Sequence, residues 1–160
     1  MPPGAILIGF DGSPAAEHAI REAGSLLGPR PALVVAVWEA GTAFEMAELP
    51  TGTVGMAPVT VDVRAAAQID DAMQERAQGI ARHGASLAGE AGFDAEALAV
   101  ADEVTVAETL VRVAEERGAQ AIVVGAHGHR RLADRILGST SERVVRHAGR
   151  PVLVVRDSSE

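Results

Sequence analysis

The chain predicts a doubly wound α/β domain: a five-stranded parallel sheet with helices on both faces. Three observations carry that expectation. Short apolar runs recur with little polar alternation, as strands covered on both faces require. Helical stretches with readable ends separate the runs. Glycines gather after one late run, at the edge where open sheets of this kind bind ligands.

Taken in order, the first strand is Ala5-Ile-Leu-Ile-Gly-Phe10. Ser13 follows as a helix N-cap, with Pro14 at the first helical position and Gly28 past the end. The second strand is Ala32-Leu-Val-Val-Ala-Val-Trp38. From Glu39 to Val63 no clean period appears, and a loop this long in a compact domain is functional or disordered as a rule. An Ala- and Gln-rich helix then spans about Arg64 to Ala91, with Gly79, Gly84 and Gly89 inside it as expected points of close packing. A weaker strand lies near Ala95 to Ala101. Thr105-Val-Ala-Glu108 has the form of a capping box, and Gly118 closes that helix. Ala121-Ile-Val-Val124 is the fourth strand. Ser139-Thr-Ser-Glu142 repeats the capping box at the last helix, and Val152-Leu-Val-Val155 is the fifth strand. Asp157-Ser-Ser-Glu160 reads as a solvated tail, and residues 1–160 read as one domain without repeats.

Composition narrows the function classes. The chain has 160 residues, 48% hydrophobic and 2% aromatic, so its core is built from Ala, Val, Leu and Ile. It has no cysteine, which excludes disulfides, thiolate zinc sites and cysteine nucleophiles. Every basic side chain other than histidine is arginine, because there is no lysine. A net charge of −8 argues against nucleic-acid binding, whose affinity comes largely from neutralised phosphates. No apolar run reaches membrane-spanning length. Met1-Pro2-Pro3-Gly4 runs straight into a strand, so the expected location is cytoplasmic rather than secreted.

The chemistry-bearing stretch begins where the fourth strand ends. Gly125, Gly128 and Gly138 each forgo the ordering entropy an alanine would save, which suggests that main-chain N–H groups approach a phosphate chain there. Ser139 starts a helix whose first amides lack intrahelical partners, and the helix dipole favours an anion at that end. The Ser139 hydroxyl either caps the helix or binds phosphate. Hydrogen bonds to charged groups contribute about 1.5–3 kcal/mol each. Three or four would support micromolar binding, which needs about 8 kcal/mol. On the opposite wall, Asp11 either receives ribose hydroxyls or caps the following helix, two readings that spacing leaves equal. His127-x-His129 is too small a set for a metal pair and reads as loop polarity. Arg130 and Arg131 read as phosphate clamps or as a solvated surface, the loop's position favouring clamps. Trp38 and Phe44 are able to stack on adenine, with packing at the strand end favoured for Trp38. His18, His83 and His147 read as helix-surface residues, and Arg135, Arg143 and Arg146 as a solvated or dimer-facing surface.

Gly125-x2-Gly128-x9-Gly138-Ser139 resembles the nucleotide-binding signature of the universal stress protein family. GFDGSPAAEHAI, AEERGAQAIVVG and LGSTSERVVRHAGRPVLVVR extend the resemblance over nearly the whole chain. It implies a Rossmann-like fold of the adenine nucleotide alpha hydrolase type, a homodimer, and ATP at the carboxyl edge of the sheet. Gly9 and Asp11 would border the nucleotide, Asp11 on the ribose, and Val37 would meet adenine through its backbone. Gly125 and Gly128 would line ribose and phosphates; Gly138, Ser139 and Thr140 would hold the phosphate tail. Mg2+ or Mn2+ would bridge the phosphates. Two departures stand out: Ala101-Asp102-Glu103 replaces a Gly-Asp-Pro-like turn, and the loop is basic at His129-Arg130-Arg131, where members vary, which should help phosphate binding.

The resemblance points to a nucleotide-dependent sensor or regulator in stress response. No general base stands beside the phosphates, so any ATP hydrolysis would be slow. The final strand, opened by Pro151, invites pairing with a second copy if it lies at the sheet edge. A P-loop ATPase is excluded by the missing lysine, and a dehydrogenase by the absence of G-x-G-x-x-G after the first strand. An ATP-pyrophosphatase-like ligase would need a richer Ser/Gly loop than Asp11-Gly-Ser13. The remaining alternative is a nucleotide-free dimeric interaction module with a vestigial pocket.

Overall fold

The computed structural model describes residues 2–41, 62–127 and 137–156. Most of the expected loop over residues 39–63, and the tail at 157–160, fall outside them. Nine elements follow in the order β1 (Ile6–Gly9), α1 (Pro14–Leu27), β2 (Pro31–Trp38), α2 (Val63–Glu90), β3 (Asp94–Ala101), α3 (Val106–Glu116), β4 (Ile122–Gly125), α4 (Ser139–His147) and β5 (Val152–Val155). All strand pairs are parallel, in the order β3-β2-β1-β4-β5.

Strand alternation splits the apolar runs between two cores. Ile6, Ile8 and Val34 face one side, where Ala16, Ala19, Ile20 and Ala23 of α1 and Ala88 of α2 meet them. Leu7, Leu33 and Val35 face the other, against Leu110, Val113 and Ala114 of α3 and Val144 of α4. Successive side chains on a strand point to opposite faces, so a run buried on both faces reads as continuously apolar. That is why β1, β2 and β4 show no polar alternation.

The predicted ends of α1 and α3 hold. Ser13 Oγ accepts from the Ala16 amide at 3.2 Å with Pro14 next in line. Thr105 Oγ1 accepts from the Glu108 amide at 3.2 Å. In α2 the glycines divide. A Cβ on Gly84 would stand 2.6 Å from the Phe10 ring and 2.8 Å from Val34, so glycine lets the helix lie on the sheet there. Gly79 and Gly89 have nothing within 4 Å, and packing does not account for them. At the far end of the molecule the Arg150 guanidinium donates to the carbonyls of Ala114 (3.0 Å), Ala119 and Ala148 (3.2 Å), tying the last turn of α3 to the end of α4.

The strand order reverses at β1. The chain leaves β1 for β2 and β3 on one side, then returns to β4 and β5 on the other. A crevice opens at such a switch point, outside the carboxyl ends of the strands. β5 lies at the sheet edge.

Candidate functional site at the carboxyl edge

A cleft of about 570 Å³ opens between the carboxyl ends of β1, β2 and β4. Of the residues singled out by sequence, Gly9, Asp11, Val37, Gly125, Gly138, Ser139 and Thr140 all line it. Gly128, His129, Arg130 and Arg131 lie outside the described residues.

β2 supplies one wall by outrunning its neighbour. The β1–β2 register ends at Gly9 opposite Val35, whereas β2 continues to Trp38 against Ala101 of β3. The Val35 carbonyl accepts from Phe10 N–H at 2.9 Å, and the Trp38 carbonyl accepts from Asp102 N–H at 2.8 Å on the other side. Main-chain groups alternate direction along a parallel strand. The N–H and C=O of Val37 therefore aim to the β1 side, past the last paired residue of β1, and into the cleft.

β1 and α1 supply the next wall. Asp11 Oδ1 accepts from the Ser13 amide at 2.9 Å, which holds the turn into α1. The carboxylate is exposed and lines the cleft as well. Asp11 therefore does not cap α1, whose N-cap is Ser13; its carboxylate holds the turn before the helix and stays at the cleft.

β4 and α4 supply the floor, and here two expectations change. Gly138, not Ser139, is the N-cap of α4, and it makes no side-chain capping bond; Ser139 is the first helical residue and exposed. With Ser139 inside the helix the capping box cannot form, while Ser141 turns inward, its hydroxyl 2.9 Å from the Ala126 carbonyl and 3.0 Å from that of Gly138. The Gly138 amide also donates to Ala126 at 2.7 Å, so the chain on either side of 128–136 is pinned together. No described residue accepts from the amides of Ser139, Thr140 or Ser141. The other three described helices each begin with a side-chain cap, at Ser13, Asp62 and Thr105.

The second change concerns why the glycines are there. A Cβ on Gly125 would stand 3.2 Å from the Ala15 carbonyl, and one on Gly138 would stand 3.2 Å from that of Ala126. The space a side chain would take is filled by protein backbone, not left for a ligand. These glycines bring β4, the first turn of α1 and the N-cap of α4 into contact, and the contact positions the open amides.

Sequence reading missed two residues that the fold brings to the cleft. His127, set aside as loop polarity, lines it beside Gly138 and Ser139. Glu39 stands at its mouth and also borders an adjoining lobe of about 260 Å³. Arg143, expected on a solvated or dimer-facing surface, lines that lobe too. Trp38 does not line the cleft, in keeping with a packing role, and Phe44 lies outside the described residues. His83 and His147 are exposed and His18 is half-buried on α1. Arg146 is exposed and pairs with Glu142 at 3.0 Å.

The model of the universal stress protein family matches residues 4–156. The chain belongs to the universal stress protein family. A universal stress protein of Methanocaldococcus jannaschii, MJ0577, is 41% identical over 49 residues, a stretch covering 31% of this chain and 30% of that relative. The solved structure of MJ0577 superposes with a TM-score of 0.75 at 22% identity, covering 98% of this chain and 97% of that one. A universal stress protein from Archaeoglobus fulgidus in complex with dAMP gives a TM-score of 0.61 at 21% identity over 96% and 98% of the two chains. A universal stress protein in complex with cAMP gives 0.60 at 22%, over 96% and 97%. The fold is accordingly the adenine nucleotide alpha hydrolase-like form of the doubly wound sheet. Among the described residues no helix is long and apolar enough to cross a membrane.

Proposed function

We propose that this universal stress protein binds an adenine nucleotide, ATP foremost, in the carboxyl-edge cleft and acts as a nucleotide-dependent regulator in stress response. The observation that supports it best is the N-terminus of α4: three amides without an acceptor among the described residues, opening on a cleft at the switch point. Unpaired amides and the helix dipole together favour a phosphate there. The solved relatives in complex with cAMP and dAMP hold ligands of the same chemical class.

In this reading Val37 hydrogen-bonds the adenine edge through its main chain, and Asp11, beside Gly9, accepts ribose hydroxyls. Gly125, Gly138, Ser139 and Thr140 hold the phosphates, with Gly128, His129, Arg130 and Arg131 completing the loop. Among the described residues no cluster of three or more potential side-chain ligands gathers to hold a metal. Mg2+ or Mn2+ would therefore be held mainly by phosphate and water, which is the usual manner of Mg2+. Any ATP hydrolysis is slow. The chain works as one domain in the cytoplasm and dimerises through β5, whose place at the end of the described sheet invites a second copy. It takes no nucleic acid.

The test is to denature the purified protein, identify any released nucleotide by chromatography, and titrate the stripped protein with ATP by calorimetry. Micromolar binding with slow turnover is expected. Absence of any adenine-nucleotide binding would overturn the reading, in favour of a dimeric module with a vestigial pocket.

A further inference from the structure

The lobe beside the main cleft has chemistry of its own. It shares Glu39, Val106, Ser139 and Thr140 with the cleft, so the two volumes are continuous. Beyond that shared wall its charged lining is Arg143 of α4 and Asp102, which follows β3. Arg143 sits one turn below Ser139 on α4, and residues four apart share a helix face. It is exposed and makes no ion pair or side-chain hydrogen bond with a described residue. Its neighbours differ: Arg146 is tied to Glu142 and Arg150 to three carbonyls. No other described arginine lines either volume. The Thr105 hydroxyl on the facing helix is already committed to the Glu108 amide.

We propose that this lobe is a phosphoryl subsite in which Arg143 discriminates ligands by their number of phosphates. The inference rests on the nucleotide reading above. Ser139 and Thr140 bound both volumes, so a phosphate chain anchored on their amides can extend from the cleft into the lobe. Its distal phosphoryl group there meets a guanidinium, whose planar fork suits phosphate oxygens. Asp102, in the same lining, repels that group and favours the Arg143 side of the lobe. A nucleoside or monophosphate does not reach that far. Arg143 therefore adds little to adenosine or AMP and most to ATP.

The experiment is calorimetric titration of adenosine, AMP, ADP and ATP into the full chain, comparing wild type, Arg143→Gln and Arg143→Lys. Glutamine keeps helix propensity at an exposed position, and melting temperatures confirm folding. The Gln variant is expected to lose about three- to tenfold in ATP affinity, less for ADP, and to bind adenosine and AMP as wild type does. The Lys variant recovers part of the loss. Raising salt narrows the gap between wild type and Gln variant, because the charge is exposed and screened. Equal losses for all four ligands, or no loss for ATP, would overturn the proposal while leaving nucleotide binding intact. A wild type that binds none of the four would overturn the nucleotide reading itself.

Discussion

Helices α3 and α4 lie on the same face of the sheet and both begin at its carboxyl edge, yet their first turns are built differently. Thr105 closes α3 with its own hydroxyl. Gly138 leaves α4 without a side-chain cap, and Ser139, the serine expected to serve, is already the first helical residue. A capped terminus has spent one of its amides internally; an open one keeps them for whatever enters the cleft. The sequence TVAE and the sequence STSE look alike, so the difference comes from what each segment packs against.

The largest effect is expected from closing α4 in the manner of α3. Gly138→Asp supplies both a capping carboxylate and a negative charge where phosphate would sit, and should lower ATP affinity by about 100-fold or more, roughly 3 kcal/mol. Calorimetry checks it, with the melting temperature measured alongside because a Cβ at 138 comes within 3.2 Å of the Ala126 carbonyl. An unchanged affinity would mean that the open amides do not hold the ligand.

Next comes the other end of the same two helices. Arg150→Leu removes charge-assisted bonds to Ala114, Ala119 and Ala148 and should cost about 1.5–3 kcal/mol in urea denaturation. A smaller loss, about 1 kcal/mol, is expected for Thr105→Ala, which uncaps α3. Ser139→Ala sharpens the contrast: it should change stability by no more than about 0.5 kcal/mol, since the hydroxyl caps nothing, while weakening ATP a few-fold. Equal stability losses at 105 and 139 would contradict the difference between the two helix starts.

The amino-acid sequence by itself determined the strands, the caps at Ser13 and Thr105, the turn glycines Gly28 and Gly118, and the family. Each of those rests on preferences expressed among residues adjacent in the chain. β1 is one residue shorter at each end than its apolar run, β2 and β3 begin one residue earlier than expected, β4 sits one residue later, and β5 matches. Tertiary structure alone decided the rest. It showed that Gly125 and Gly138 are small because α1 and Ala126 press against them, and that Ser139 is not a cap. It also brought His127 and Glu39 to the cleft and Arg143 to its side lobe. Those outcomes depend on which segments meet in space. A backbone carbonyl or a serine hydroxyl leaves no mark in the sequence of the segment it will touch.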